Sequence, residues 1–325
     1  MTNILDQVLS DVMCARLFVL RQDMKLAKWW MKSLCVQNLL SSKPAVSEGG
    51  PVVSLTTYGR RLHTVYLTLE SIAAGRVLPS RLILWLDEQK ALNNLPSTLR
   101  RLEDRGLEIM PCENFGPHKK YYPYVRSVDS VSTPLVTADD DVLYSRWWLA
   151  GLVQGYLRLP EVINCYRAHV MSLSSQGISP YLSWKECRTN SPSHRHFATG
   201  VSGCIYPPRF LEVLKLRGTQ FLECCPKADD VWLHASALRS GFRVRQIYTE
   251  QLNFPVIPGT QSSGLSIVNC GLALNDEQIR ATYAADDLAL LRSQVGGGGN
   301  AHGKKYIIDA DRVPKRSRPT HTHVV

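Results

Sequence analysis

Four short apolar runs, each bounded by breakers or charge, constrain this chain more than any other feature. Val52 to Leu55, Arg81 to Leu86, Leu107 to Met110 and Pro134 to Thr137 read as buried strands. Between the first two, Leu62, Tyr66, Leu69 and Ile72 recur at helical spacing until Gly75, and a helix opening at Pro96-Ser97 stops at Gly106. Strands that alternate with helices predict an α/β domain with a mostly parallel central sheet and helices on both faces. Ligands of such sheets bind beyond the carboxyl ends of the strands. Tyr58, Asp87 and the run Asp139-Asp140-Asp141 all fall at such ends.

The Asp triplet is the sharpest chemical signal. If the backbone stays extended, Asp139 and Asp141 point one way and Asp140 the other. Two aligned carboxylates suit a hard divalent cation such as Mg or Mn, whose open positions go to substrate phosphates. The competing reading of such a triplet is a solvated acidic turn. Downstream, Asp229-Asp230 precedes an apolar helix that ends at Gly241, where an Asp ordinarily caps the helix and a second leaves a spare carboxylate.

Together with Val52-Val-Ser-Leu-Thr-Thr-Tyr58, Leu82-Ile-Leu-Trp-Leu-Asp87 and Gly116-Pro-His-Lys-Lys120, these acids give the stretch from Val52 to Tyr248 a likeness to a known family. It resembles the GT-A type glycosyltransferases, specifically the bacterial family-2-like enzymes. The resemblance implies a Rossmann-like sheet and a divalent metal, Mn or Mg, held by Asp139 and Asp141 on the diphosphate of a nucleotide sugar. It also implies an inverting transfer in which Asp230 is the catalytic base, with Asp229 capping or assisting. The chain has Ala-Asp-Asp where the family commonly has a Glu-Asp pair.

Other residues take expected places around this frame. Thr56, Thr57 and Tyr58 offer hydroxyls and a ring for a nucleotide base, and Asp87 in the resembled family contacts base or ribose. Asp140 completes the donor side. Lys119, expected near a helix start with free amide groups, is the chosen diphosphate contact, and Arg60 and Arg61 could also meet phosphate. Trp147 and Trp148 offer a sugar platform or core packing. The polar stretch from Ser172 to Ala198 reads as an acceptor loop, with His194 and His196 spaced for one face of a strand and open to a metal or a solvent reading. Gly200 and Gly203 read as a place where a sugar approaches the backbone closely, or as a bulged core strand.

Three segments follow: a helical extension and linker over 1–50, a catalytic domain over 51–250 divided into a donor half (51–145) and an acceptor half (146–250), and a loop, helix and basic tail over 251–325. Asp276 to Arg292 reads as helical, Gly296 to Gly299 as a flexible break, and His302 to Arg318 as a basic tail that could fold over a diphosphate. A formal net charge of +10 favours anionic partners. The partners expected are a nucleotide-sugar donor and a glycan or glycolipid acceptor, with nucleic acid ranked below them; the lysine- and tryptophan-bearing Met24 to Lys32 reads first as a helix packed on the catalytic domain or a partner subunit, and second as a peripheral membrane contact. Nine cysteines without zinc-type spacing suggest a reduced, cytoplasmic setting, or the inner membrane face. A metal-dependent glycosyltransferase ranks first among functions. A two-metal nucleotidyl or phosphoryl transferase and a noncatalytic glycan- or polyanion-binding protein follow.

Overall fold

A computed structural model describes residues 24–261 and 274–293. The expected break at Gly296 to Gly299 and the basic tail lie outside the described residues. Among the described residues the core is a seven-stranded sheet. In chain order its strands are β1 (Val52–Thr56), β2 (Arg81–Leu86), β3 (Leu107–Pro111), β4 (Leu135–Thr137) and β5 (Ile163–Cys165). Strand β6 (Ala168–Val170), β7 (Lys185–Glu186) and β8 (His196–Ala198) form a separate small sheet, and β9 (Cys204–Tyr206) and β10 (Val244–Gln246) return to the large one.

The large sheet runs β10-β5-β9-β4-β1-β2-β3. Strands β3, β2, β1 and β4 are parallel neighbours, β10 is parallel to β5, and only β9 runs against its neighbours β4 and β5. The mostly parallel α/β architecture is therefore as the alternation of runs predicts. Strand β1, with every residue buried, sits between β2 and β4 and reads as a continuous apolar run because helices cover both its faces.

Helices α1 (Met24–Leu40), α2 (Val65–Ala73) and α3 (Ser97–Glu103) pack together on one side. Leu34 of α1 enters a small cluster with Leu67, Leu143 and Ile257. Beside it lies a buried polar knot. Glu70 of α2 is fully buried and accepts from Gln37 and Asn38 of α1 and from Arg105, whose Nη1 lies 2.6 Å away. A carboxylate taken this far from water persists only because each oxygen is bonded.

On the later half, α4 (Tyr122–Ser127), α5 (Trp148–Arg158), α6 (Pro208–Arg217) and α7 (Asp229–Arg239) frame the sheet, and α8 (Leu274–Thr282) and α9 (Ala285–Ser293) pack on α7. The helix expected over Asp276 to Arg292 is thus two helices broken at Tyr283-Ala284. The stretch from Ser172 to Ala198 carries short strand pairings as well as loop.

Candidate functional site

The apolar strand β4 ends at Thr137; Asp139 follows outside the strand, and Asp140 and Asp141 lie in a turn. This corrects the expected alternation of faces. Asp140 and Asp141 share one guanidinium: Arg61 Nη1 lies 2.7 Å from Asp140 Oδ1, and Nη2 lies 3.0 Å from Asp141 Oδ2. Asp139 pairs instead with Lys120. A turn releases the side chains from the two-residue period of a strand, so neighbouring acids can converge.

Each carboxylate is held differently. Asp140 accepts from the Thr57 hydroxyl at 2.6 Å, which fixes its second oxygen. Asp141 accepts from Gln261 Nε2 at 2.6 Å and lies 3.4 Å from Thr260 Oγ1. The same Thr260 offers its carbonyl to Arg61, and the Ile257 amide donates to the carbonyl of Asp141. A segment more than a hundred residues later in sequence therefore closes over the triplet. Burial pushes Asp141 up to about 6, with repulsion from Asp139 next in size. Asp140 is also raised, by burial, against the pull of Arg61.

The second acidic cluster faces the first across Lys120, which lies 3.9 Å from Asp229 Oδ2 while pairing with Asp139. Burial works against the Lys120 charge, but Asp139 and then Asp229 outweigh it, and the ammonium is held well above its usual range. Ala228 is the boundary residue of α7 and both acids occupy its first turn without a side-chain cap, so Asp229 is not the expected cap. Asp230 accepts from the Gly200 amide at 3.1 Å. Burial, and then Asp229, push Asp230 up to about 8. Asp229 is raised too, by burial, opposed by Lys120.

Local geometry explains why Lys120 stands between them. Gly116–Lys120 is a tight 3-10 turn running straight into α4, so Lys119 and Lys120 stand near a helix start as expected. Its His118 is buried, stacks on Phe221 at 4.0 Å and bonds the Cys225 carbonyl through Nε2 at 2.8 Å. Since a carbonyl only accepts, Nε2 carries the proton and Nδ1 accepts from the Tyr121 hydroxyl. Burial holds His118 near 3, so it stays neutral. The turn that bears the lysines is thereby fastened to the segment leading into Asp229.

The remaining expected residues are placed as follows. Lys119 lies 2.5 Å from Asp87, so each occupies the other and Lys120 is the lysine that meets the triplet. Tyr58 is 37% exposed, and the Arg61 guanidinium lies 5.9 Å from its ring centre. Thr56 donates to the Trp85 carbonyl within the sheet. Trp148 is buried and stacked on Tyr144, so it offers no open sugar face, and half-buried Trp147 lies under Arg76 at 5.0 Å. His196 is buried beside Cys187 rather than exposed, and among the described residues no group of three or more His, Cys, Asp or Glu converges as a metal cage. Gly203 adopts φ +95 where a Cβ would fall 2.7 Å from the Trp148 ring nitrogen, and at Gly200 a Cβ would fall 3.1 Å from Asp230 Oδ1. The second glycine thus lets the backbone approach the acid.

No family model matches the chain, and no curated protein matches it. Among solved structures it is similar to the mannosyltransferase PcManGT from Pyrobaculum calidifontis in complex with GDP-Man and Mn2+, at 17% identity over 82% of this chain and 75% of that one, with a TM-score of 0.47. It is similar to S. aureus TarS 1–349 at 10% identity over 75% of this chain and 70% of that one, with a TM-score of 0.40. A CMP:2-keto-3-deoxy-manno-octonic acid synthetase complexed with CTP is similar at 12% identity over 70% of this chain and 99% of that one, with a TM-score of 0.41. At these identities and scores the reading of function rests on the geometry of the site itself.

Proposed function

We propose that this chain is a nucleotide-sugar-dependent glycosyltransferase that moves a sugar to a glycan or glycolipid hydroxyl with inversion. The observation that carries the reading is the convergence of Asp139 and Asp229 on one lysine at the carboxyl ends of β1 and β4, with Asp230 the next residue along. Acids some ninety positions apart in sequence are drawn into a single crevice, one set beside a donor's expected diphosphate and the other beside an acceptor.

The donor set suits a hard divalent cation. Asp139 and Asp141 lie close enough for the charge of one to raise the other, a repulsion that a bound cation relieves. Asp139 and Asp141 would hold Mn or Mg, which supplies charge neutralisation on the diphosphate. Phosphate oxygens and water would fill the remaining positions. Asp140, fixed by Thr57 and Arg61, keeps the turn in shape. Partly exposed Tyr58 would meet the base, with Thr57 next to it in sequence and Asp87, paired with Lys119, on the donor side.

In the transfer, the acceptor oxygen attacks the anomeric carbon and the bond from that carbon to phosphate oxygen breaks, its electrons leaving on the diphosphate. Asp230 takes the acceptor proton. Its environment suits the task, because a carboxylate raised to about 8 is a stronger base than an ordinary one. Lys120, already between the two acidic sets, donates toward the negative charge growing on the leaving group.

A screen of nucleotide sugars with Mn, read first as thermal stabilisation and then as released nucleoside diphosphate, tests the reading. One donor should stabilise the protein, EDTA should remove the effect, and Asp139→Ala and Asp141→Ala should abolish turnover. Release of pyrophosphate instead of nucleoside diphosphate would replace the proposal with nucleotidyl transfer.

A further inference from the structure

Helix α1 has two unlike faces. Leu34, Ala27 and Asn38 are buried against α2 and α3, whereas Leu26, Trp29, Val36 and Leu40 are 44%, 69%, 52% and 80% exposed. These four recur at positions i, i+3, i+10 and i+14, so with exposed Ser33 at i+7 they form one stripe along the helix. Leu39 adds a further exposed side chain, at 63%. Lys28 and Lys32, both exposed and one turn apart, run beside this stripe, and the seventeen residues of α1 include no Asp or Glu.

We infer that this face is a docking surface for an anionic lipid bilayer. Exposed apolar residues in a single stripe are rarely left facing water. The accompanying charges decide what covers them. Lysines are depleted from the cores of protein–protein contacts, but beside lipid their stems lie along the apolar boundary while the ammonium groups reach the headgroups. Tryptophan is likewise suited to the interface, with an apolar body and a polar N–H. The charge complement is an anionic surface, in keeping with a formal net charge of +10. Among the described residues no helix is long and apolar enough to cross a membrane, so the helix lies on the bilayer surface rather than spanning it.

Docking would also place the catalytic crevice. Leu34, on the inner side of α1, packs with Leu143 and Ile257, and Ile257 is the residue whose amide bonds Asp141. The crevice therefore stands about one helix diameter, roughly 10–12 Å, behind the lipid-facing stripe. The inference stands on the helix alone and survives if the catalytic reading fails.

Sedimentation of the full chain with vesicles tests it, using phosphatidylcholine alone against phosphatidylcholine mixed with phosphatidylglycerol. The wild type should sediment with the anionic vesicles at ~0.1 M salt and be released as salt approaches ~1 M. The exposed double substitution Trp29→Glu with Val36→Glu should weaken binding at least about tenfold without changing the melting temperature. Lys28→Glu with Lys32→Glu should remove the preference for anionic lipid. The inference is overturned if the wild type stays in solution, or if binding persists unchanged in both variants, which would assign it to another surface. A concentration-dependent dimer that Trp29→Glu with Val36→Glu converts to monomer, without vesicle binding, would overturn it as well.

Discussion

The two acidic clusters of the crevice differ in how their charge is met. At the turn after β4 every carboxylate has a cation: Lys120 for Asp139, and Arg61 for both Asp140 and Asp141. At the start of α7, buried Asp229 faces Lys120 at 3.9 Å, and half-buried Asp230 accepts the Gly200 amide with no ion pair to a side chain among the described residues. The consequence is a gradient in proton affinity, from about 6 at Asp141 to about 8 at Asp230. Identical side chains in one crevice are thus separated in proton affinity, first by burial and then by the charges beside each, a separation that suits the proposed division into metal ligands and proton acceptor.

The most forceful way to break this comparison is Asp230→Asn. The amide oxygen can still accept from Gly200, so the fold and the donor-induced rise in melting temperature should persist while turnover falls by about 10²–10⁴-fold, the typical range for losing a general base. Loss of donor binding in that variant would move Asp230 out of the proton-transfer role. Next comes Lys120→Met, which removes the bridge between the clusters. Turnover should fall about a hundredfold, and Asp229, whose proton affinity Lys120 lowers, should take up a proton more readily, visible as a carboxyl shift in NMR or infrared titration. An unaltered titration would show that the two clusters do not sense one another.

A milder probe is pH. Because Asp230 must be ionised to accept a proton and is half ionised only at about 8, turnover should climb with pH, by about tenfold per unit, and level off above about 8. Stability should move the other way. A folded-state value raised above the usual 3.8 means the folded protein holds the proton more tightly, so this contribution is full below about 4 and is lost as pH rises through about 8. Asp230→Asn should flatten that slope in denaturant titrations at successive pH values. The smallest expected effect is Arg61→Lys, which keeps the charge but cannot span Asp140, Asp141 and the Thr260 carbonyl together. A loss of about 1–3 kcal/mol in stability, with donor affinity reduced more than the catalytic rate, would place Arg61 as a brace of the turn.

The strands were legible because their apolar runs are bounded by Gly, Pro and charge: β2 occupies the predicted Arg81 to Leu86, and β1 extends one residue beyond Leu55. The triplet and the later pair were visible as acids at element boundaries. Their directions were not. The two-residue period was carried past Thr137, where the strand ends, and nothing local announces that turn. The choice between Lys119 and Lys120 depends on the phase of a 3-10 turn set by His118, whose anchor at Cys225 is remote in sequence. Thr260 and Gln261 carried no signal, since an ordinary Thr-Gln pair becomes a clamp only when a distant loop folds across the crevice. Arg61 was among the basic residues suspected after β1, but its grip on two successive acids depends on that same turn.

Glu70 has a bearing on where this protein can be cut. Its carboxylate is sealed off from solvent, with Gln37 and Asn38 of α1 bonded to it on one side and Arg105 on the other. A shortened version starting after Leu40 would open that chamber and strip Glu70 of its amide partners, leaving an acid and a guanidinium half-solvated under the first strands. The helical extension ahead of a breaker-rich linker is, in folding terms, a wall of the same building.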